Sequence, residues 1–413
     1  MNKKITFIDL FAGCGGLTEG FLKTGKYESL AHVEWDPQIA KTLKKRLESK
    51  WGIKGCRLDD DVITFDIQKT NELIYGNWSD TTLEEFGTYN SENVIKNGLN
   101  GSINKKVDLI IGGPPCQAYS IAGRGGDKDS MKNDYRNYLF EGFVKIVDHF
   151  KPSMFLFENV PGMLSACPGN IPVTERIYEA FDKIGYIIKK PNNLKAEGVF
   201  DASNFGVPQK RKRVIIIGVC KNDYNLSTLD NIYKELRKIN ITPKKTVRDA
   251  IYNYSHIYPI KKDTLKTLKV SHKHDNKSKR LLNHMPRFHN KRDINIFKNW
   301  ISKKMNKLKL AEQIKFYTKM TGKISKHNKY RNLEWDKPSP TIVAHLHKDG
   351  LMFIHPDVKQ SRSITVREAA TLQSFDEDYV FTRKIGINYK MIGNAVPPLM
   401  AERISLVLTK FLN

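Results

Sequence analysis

Ile5-Thr6-Phe7-Ile8-Asp9-Leu10-Phe11-Ala12-Gly13-Cys14-Gly15-Gly16-Leu17 runs from an apolar strand pattern through a glycine turn into a helical pattern that continues to Lys23. This is the opening of a strand–turn–helix unit of the kind that holds nucleotides. Glycines permit a tight turn and a close approach of backbone to ligand, and the helix start offers free amides. A second strand pattern, residues 30–34, ends on Glu34 about 20 residues further on, where an acid can grip ribose hydroxyls. Trp35 follows it and can stack on an adenine ring. The spacing is Gly-x-Gly-Gly, not Gly-x-Gly-x-x-Gly, which weighs against a dinucleotide.

Outward from this unit, strand-like runs at residues 5–11, 30–34, 107–111, 154–158 and 214–218 alternate with helical patterns at 39–49, 137–149 and 173–184. The alternation predicts an α/β fold, a doubly wound parallel sheet with helices on both faces. Residues 70–105 are polar and Asn-rich and read as an irregular insertion. Order returns at 362–375, and residues 399–412 carry a final helical pattern. At 413 residues the chain exceeds what one core serves, so two domains are expected.

The third strand pattern delivers Gly112-Gly113-Pro114-Pro115-Cys116-Gln117-Ala118-Tyr119-Ser120. Prolines stiffen that loop and remove backbone donors, so Cys116 is presented at a strand's carboxyl end rather than packed, a place suited to a nucleophile. The fourth strand ends on Glu158, a candidate general acid or hydrogen-bond partner, and Arg211 and Arg213 follow as planar donors for an oxyanion or a phosphate. Between 120 and 133, Gly123, Gly125 and Gly126 give the composition of a closing loop, with Arg124 and Arg136 available for phosphates.

The net charge of +25 is unevenly distributed: residues 241–330 hold 24 lysines and arginines against 5 acids, so +19 of the excess lies there, among aromatics and six histidines. A regional excess of this kind marks a folded nucleic-acid-binding module rather than a charged tail. The five cysteines are scattered, without metal-ligand spacing, and Met1-Asn2-Lys3-Lys4 leads straight into a strand pattern. A reduced, cytoplasmic, metal-free protein is expected. No apolar run reaches the ~18 residues of a membrane span.

The ordered set Asp9-Leu-Phe-Ala-Gly-Cys-Gly-Gly, Gly-Gly-Pro-Pro-Cys-Gln, Phe157-Glu158-Asn159-Val160, Gln209-Lys-Arg211-Lys-Arg213, Arg367-Glu368-Ala-Ala-Thr-Leu-Gln373 and Gly393-Asn394-Ala-Val-Pro-Pro resembles the motifs of the DNA (cytosine-5)-methyltransferases of bacterial restriction-modification systems. The resemblance spans nearly the whole chain except the basic module, which sits where that family keeps its target-recognition domain. It implies a Rossmann-like S-adenosylmethionine-dependent sheet and methyl transfer to carbon 5 of a flipped-out cytosine in a specific duplex sequence. In that reading Cys116 is the nucleophile and Glu158, Arg213 and Arg211 serve the base. Phe11, Gly13, Gly15, Gly16, Glu34, Trp35, Asp66 and Asn394 surround S-adenosylmethionine. Ser120, Arg124, Arg136 and Gln209 contact DNA, and no metal is required.

The expected organisation is a catalytic domain over 1–240 completed by 385–413, a basic target-recognition domain over 241–365, and a hinge over 366–384. The expected partners are double-stranded DNA and a cognate restriction endonuclease that reads the same site without forming a stable complex. The protein is expected to be a monomer in the bacterial cytoplasm, at the nucleoid when bound to DNA. A transfer-RNA cytosine methyltransferase and a catalytically dead DNA binder are the alternatives; the basic insert disfavours the first and the intact Cys116 and Glu158 the second.

Overall fold

The computed structural model describes residues 3–115, 139–260, 270–275 and 281–412. The chain divides into two compact units, Met1–Phe205 with Lys212–Ile241 and Ala395–Asn413, and Gly206–Arg211 with Thr242–Asn394. The return of the chain to the first unit falls at Ala395, so residues 385–394 group with the second unit rather than the first.

The first unit is built on one sheet of β1 (Ile5–Leu10), β2 (Tyr27–Glu34), β3 (Val62–Thr64), β4 (Leu109–Gly112), β5 (Met154–Asn159), β6 (Tyr186–Ile187), β7 (Val199–Asp201) and β8 (Lys212–Cys220). The order is β3-β2-β1-β4-β5-β8-β6, with β7 also paired to β8. β1 to β5 are mutually parallel, whereas β8 is antiparallel to β5, β6 and β7, so the sheet is mixed at that edge rather than wholly parallel. The strand order reverses between β1 and β4, which places the ligand crevice of such sheets beyond their carboxyl ends.

Helices cover both faces. Phe143 on the helix Leu139–Phe150 packs edge-on against Phe155 and Phe157 of β5, in a core that also takes Ile8, Leu10 and Ile110. On the other face Phe7 and Tyr27 meet Phe21 of the helix Gly16–Lys23. That helix lies against Pro398–Leu408, and the fit is close: a β-carbon on Gly20 would stand 2.5 Å from Pro398 O, and one on Gly16 would stand 2.3 Å from Val396 O. Tyr27 donates its hydroxyl to Ser405 O at 2.8 Å, and Tyr224 donates to Phe411 O at 3.0 Å. One unit is therefore assembled from both ends of the chain.

Residues 70–105 differ from expectation. They form the helices Thr70–Tyr75, Asp80–Phe86 and Glu92–Ser102, and these helices with the link between the first two bury Leu73, Ile74, Trp78, Phe86, Val94 and Leu99 in the main core. One asparagine of the segment, Asn90, acts as surrogate backbone. The Asn90 amide accepts from Thr64 N and donates to Thr64 O, both at 2.9 Å, and so pairs the outer edge of β3, the edge strand of the sheet.

The second unit has its own core of Ile296, Phe297, Trp300, Met305, Tyr330 and Ile354, and a small antiparallel sheet of β9 (Ile257–Pro259) and β10 (His272–His274). Its helix Val366–Leu372 starts with a capping box between Thr365 and Glu368.

Candidate active site

At the end of β1 the backbone leaves the strand through Phe11, φ 61°, and turns through Gly13 and Gly15, φ 57° and 79°. Left-handed conformations in succession explain the glycines. The turn is tied to β2 by Ala12 N donating to Val33 O at 2.9 Å, and to Glu34, whose Oε2 accepts from Gly13 N and whose Oε1 accepts from Asp36 N, both at 2.9 Å. Glu34 is thus fixed in orientation by backbone donors. Trp35 beside it is 59% exposed, which is unusual for so large an aromatic ring unless it serves a surface contact. Asp66, half-buried two residues beyond β3, accepts from Gln68 N and Nε2 at 3.0 Å. The glycine turn, Glu34, Trp35 and Asp66 all stand at carboxyl ends of neighbouring parallel strands. An exposed aromatic face, a fixed carboxylate and backbone amides at a helix start suit an adenosyl group.

Two strands away, β5 ends at Glu158-Asn159. Glu158 is 7% exposed and Arg213 9%, and Arg213 Nε donates to Glu158 Oε1 at 2.7 Å. The antiparallel register sets this pair: Glu158 lies opposite Ile215, which makes Arg213 its diagonal neighbour on the same face. Arg213 also donates Nη1 to Lys212 O at 2.7 Å, so the guanidinium is held at two points. Gly113, just past β4, makes room for the carboxylate; a β-carbon there would come within 2.7 Å of Glu158 Oε2. Asn159, which motif reading left without a task, donates Nδ2 to Pro114 O at 3.4 Å and accepts from Val160 N at 2.8 Å. These bonds link the end of β5 to the Pro-Pro segment from which Cys116 follows. Cys116, Ser120, Arg124 and Arg136 lie outside the described residues.

Gln209 and Arg211 do not fit the tasks expected of them. Gln209 is fully buried in the second unit, donating to Leu372 O and Gln373 Oε1 and accepting from Ile342 N at 2.8 Å, so its amide is not available to DNA. Arg211, 1% exposed, donates to Ile342 O and Gly393 O, both at 2.9 Å. Its guanidinium organises backbone within its own unit and is not placed to hold a base. Alternation explains the error: in a strand-like Gln-x-Arg-x-Arg segment a basic side chain can point inward, and composition alone does not tell which. Asn394 is exposed at the end of the helix Ile385–Asn394. Among the described residues, no group of three or more His, Cys, Asp or Glu side chains is arranged to hold a metal ion.

A doubly wound sheet with a glycine turn after β1, an acid ending β2 and a Glu–Arg pair at the end of β5 defines a Rossmann-like, nucleotide-type α/β fold. The family model for C-5 cytosine-specific DNA methylases matches residues 5–410. The type II methyltransferase M.Bpa9945I of Bacillus paralicheniformis is 34% identical over 98% of this chain and 99% of the relative, and M1.HphI of Haemophilus parahaemolyticus is 30% identical over 98% and 87%. A prophage-encoded methyltransferase of E. coli shares the fold, with a TM-score of 0.60 at 22% identity over 99% of this chain and 100% of that one. The chain belongs to the C-5 cytosine-specific DNA methylases and is a DNA (cytosine-5)-methyltransferase.

Proposed function

We propose that this enzyme methylates one cytosine within a specific double-stranded DNA sequence, extruded from the helix and attacked covalently by Cys116, as the modification arm of a restriction-modification system. The observation that carries the reading is Glu158, oriented by Arg213 and given space by Gly113, at the strand end beside the segment leading into Cys116. Carbon 5 of cytosine is a weak nucleophile. Addition of the Cys116 thiolate to carbon 6 pushes density onto ring nitrogen 3 and makes carbon 5 reactive. Glu158 stabilises nitrogen 3 through a hydrogen bond or shared proton, and Arg213 holds Glu158 and reaches the carbonyl oxygen of the ring. Once carbon 5 carries the methyl group, a base such as water takes its proton and the Cys116 thiolate leaves carbon 6, which restores the ring.

S-adenosylmethionine, when bound, supplies an electrophilic methyl group. Phe11, Gly13, Gly15, Gly16, Glu34, Trp35, Asp66 and Asn394 are assigned to it, with Trp35 stacking and Glu34 facing the ribose. Because a base inside the duplex is out of reach, the target must be flipped, which costs a few kcal/mol. Ser120, Arg124 and Arg136 are assigned to the DNA backbone around that gap. The target-recognition role falls to the basic segment. Lys303, Lys304, Lys307, Lys309, Lys315, Lys319, Lys323, Lys326 and Lys329 are all exposed there, with Glu312 the one acid among them, a surface suited to phosphates. The enzyme is read as a cytoplasmic monomer whose cognate endonuclease acts separately on the same site.

Bisulfite sequencing of DNA from cells expressing the protein tests this. One recognition sequence should be methylated at a single cytosine, and Cys116→Ala should abolish the mark. Absence of a site-specific mark, or methylation of transfer RNA instead of DNA, would overturn it.

A further inference from the structure

The helix Gly16–Lys23 starts without a cap of its own. Its N-cap is Gly15, at φ 79°, which has no side chain to accept a hydrogen bond. Helix starts leave orphan amides that Ser, Thr, Asp or Asn at the N-cap ordinarily satisfy, yet the turn requires glycine there. The acceptor comes instead from the preceding strand. Asp9 of β1, 1% exposed, accepts the Thr18 hydroxyl at 2.6 Å through Oδ2 and also accepts the Thr18 backbone amide. Thr18 is fully buried on the first turn of the helix.

The arrangement is costly. Burial pushes the Asp9 carboxyl up to about 7, and its Oδ1 is buried with no hydrogen-bond partner among the described residues. An apolar residue would pack at this depth without that penalty, so the carboxylate must do something an apolar residue cannot. Asp9 and Thr18 are the two stems of the turn formed by residues 11–16, the one on the strand before it and the other on the helix after it.

We propose that Asp9 and Thr18 are positioning residues of the donor site, their hydrogen bond closing the base of the 11–16 turn and so fixing the backbone that holds S-adenosylmethionine. The inference rests on the reading of that turn as the donor site. No cation lies among the groups that shift Asp9; the Thr18 bonds are what favour its charged form. From β2, Glu34 raises it further, while His32, its register partner, is kept neutral by burial, down to about 4. From β4 the register partner is the apolar Ile111. On the helix itself Glu19 is held by Arg46 in a two-point pair at 2.9 and 2.8 Å. Loss of the Asp9 charge as pH falls below about 7 therefore weakens the closure of the turn directly.

Calorimetric titration of the full chain with S-adenosylmethionine, between pH 6 and 8.5, tests this. Asp9→Asn and Thr18→Val should each weaken donor binding on the order of 10-fold, the scale of one hydrogen bond to a charged group. Thr18→Ser should restore it, and DNA affinity should not change in any variant. Wild-type affinity should decline as pH drops below about 7, and the Asp9→Asn profile should be flat over the same range. If Asp9→Asn does not fold, the Thr18→Val and Thr18→Ser pair decides alone. Donor affinities of the variants within 2-fold of wild type would overturn the positioning role. A wild-type protein that fails to bind the donor would instead overturn the reading of the turn itself.

Discussion

A buried glutamate–arginine pair stands at a strand end in the first unit, another lies in the second unit, and the two are built differently. In the first unit Arg213 Nε meets Glu158 Oε1 at 2.7 Å at the end of a strand, beside a glycine whose missing β-carbon leaves the carboxylate room. In the second unit Arg362 grips Glu368 at two points, both 2.7 Å, while its remaining donors go to Gln360 Oε1 and Ser363 O. Glu368 also accepts Thr365 N at 2.7 Å and lies 3.5 Å from His355 Nε2. Two groups of the same chemistry thus have different surroundings. A carboxylate gripped at both oxygens inside a unit's core holds a fold together, whereas one at a strand's carboxyl end, beside a glycine that leaves it room, stands where sheets of this kind place their ligands.

Isosteric substitution separates them most sharply. Glu158→Gln keeps an acceptor for Arg213 but loses the charge and the proton, so kcat should fall by about 10²–10⁴, with the melting temperature little changed. Glu368→Gln places an amide NH₂ against Arg362 and His355; steady-state kinetics and thermal melts should show it losing about 3–5 kcal/mol of stability, the cost of breaking a buried pair. If Glu158→Gln unfolded the protein and Glu368→Gln did not, the two roles would have to be exchanged.

The pH response should separate the units next. In the second unit burial lowers His272 to about 4 and His289 to about 2, and holds His284 and His355 below their usual range. A base with a depressed folded pKa stabilises the fold above its unfolded pKa of about 6.5, and that stability is lost as pH falls from there toward the folded value. In the first unit Asp9 and Asp61 are raised to about 7 by burial, which has the opposite sign: their contribution is present below the unfolded pKa near 4 and is lost as pH rises through 7. His32, lowered to about 4, partly offsets them. Hydrogen exchange at pH 5 against pH 7.5 should therefore show protection falling in β9, β10 and the helix Lys291–Ser302 more than in β1, β4 and β5. Equal loss in both would contradict this balance.

The smallest expected effect is at Gly113. A methyl group there would press on Glu158 Oε2, which Arg213 keeps from swinging freely, so Gly113→Ala should reduce kcat about 10-fold, or about 1.4 kcal/mol of transition-state stabilisation. Binding of S-adenosylmethionine, measured by titration, should stay as in wild type.

Much of the first unit was legible because its signals are local. Apolar runs ending in Gly13, Glu34, Gly112 and Glu158 each named a strand and the residue it delivers, and the carboxyl-end rule gathers such residues at one edge. The antiparallel direction of β8 was not legible, since an apolar run carries no direction. The helices of residues 70–105 were masked by asparagines, one of which, Asn90, pairs the edge of β3 through Thr64, a partner outside the segment. Gln209 and Arg211 misled for the same reason: their partners, Ile342, Gln373 and Gly393, lie more than a hundred residues downstream, and a polar side chain reads as exposed until those partners are known. Asp9 belongs to a motif legible in the sequence, yet its link to Thr18 exists only in the fold of the turn between them.

The contrast between the two pairs rests on Glu158 serving a cysteine-linked base, and trapping that adduct tests it most directly. Wild-type enzyme incubated with S-adenosylmethionine and duplex DNA carrying 5-fluorocytosine at the methylated position should form a complex that survives denaturation, because fluorine blocks the final loss from carbon 5. Cys116→Ala should form none, and Glu158→Gln should form it far more slowly while still binding DNA. Methylation of normal DNA without any denaturation-resistant complex on the fluorinated duplex would contradict the account.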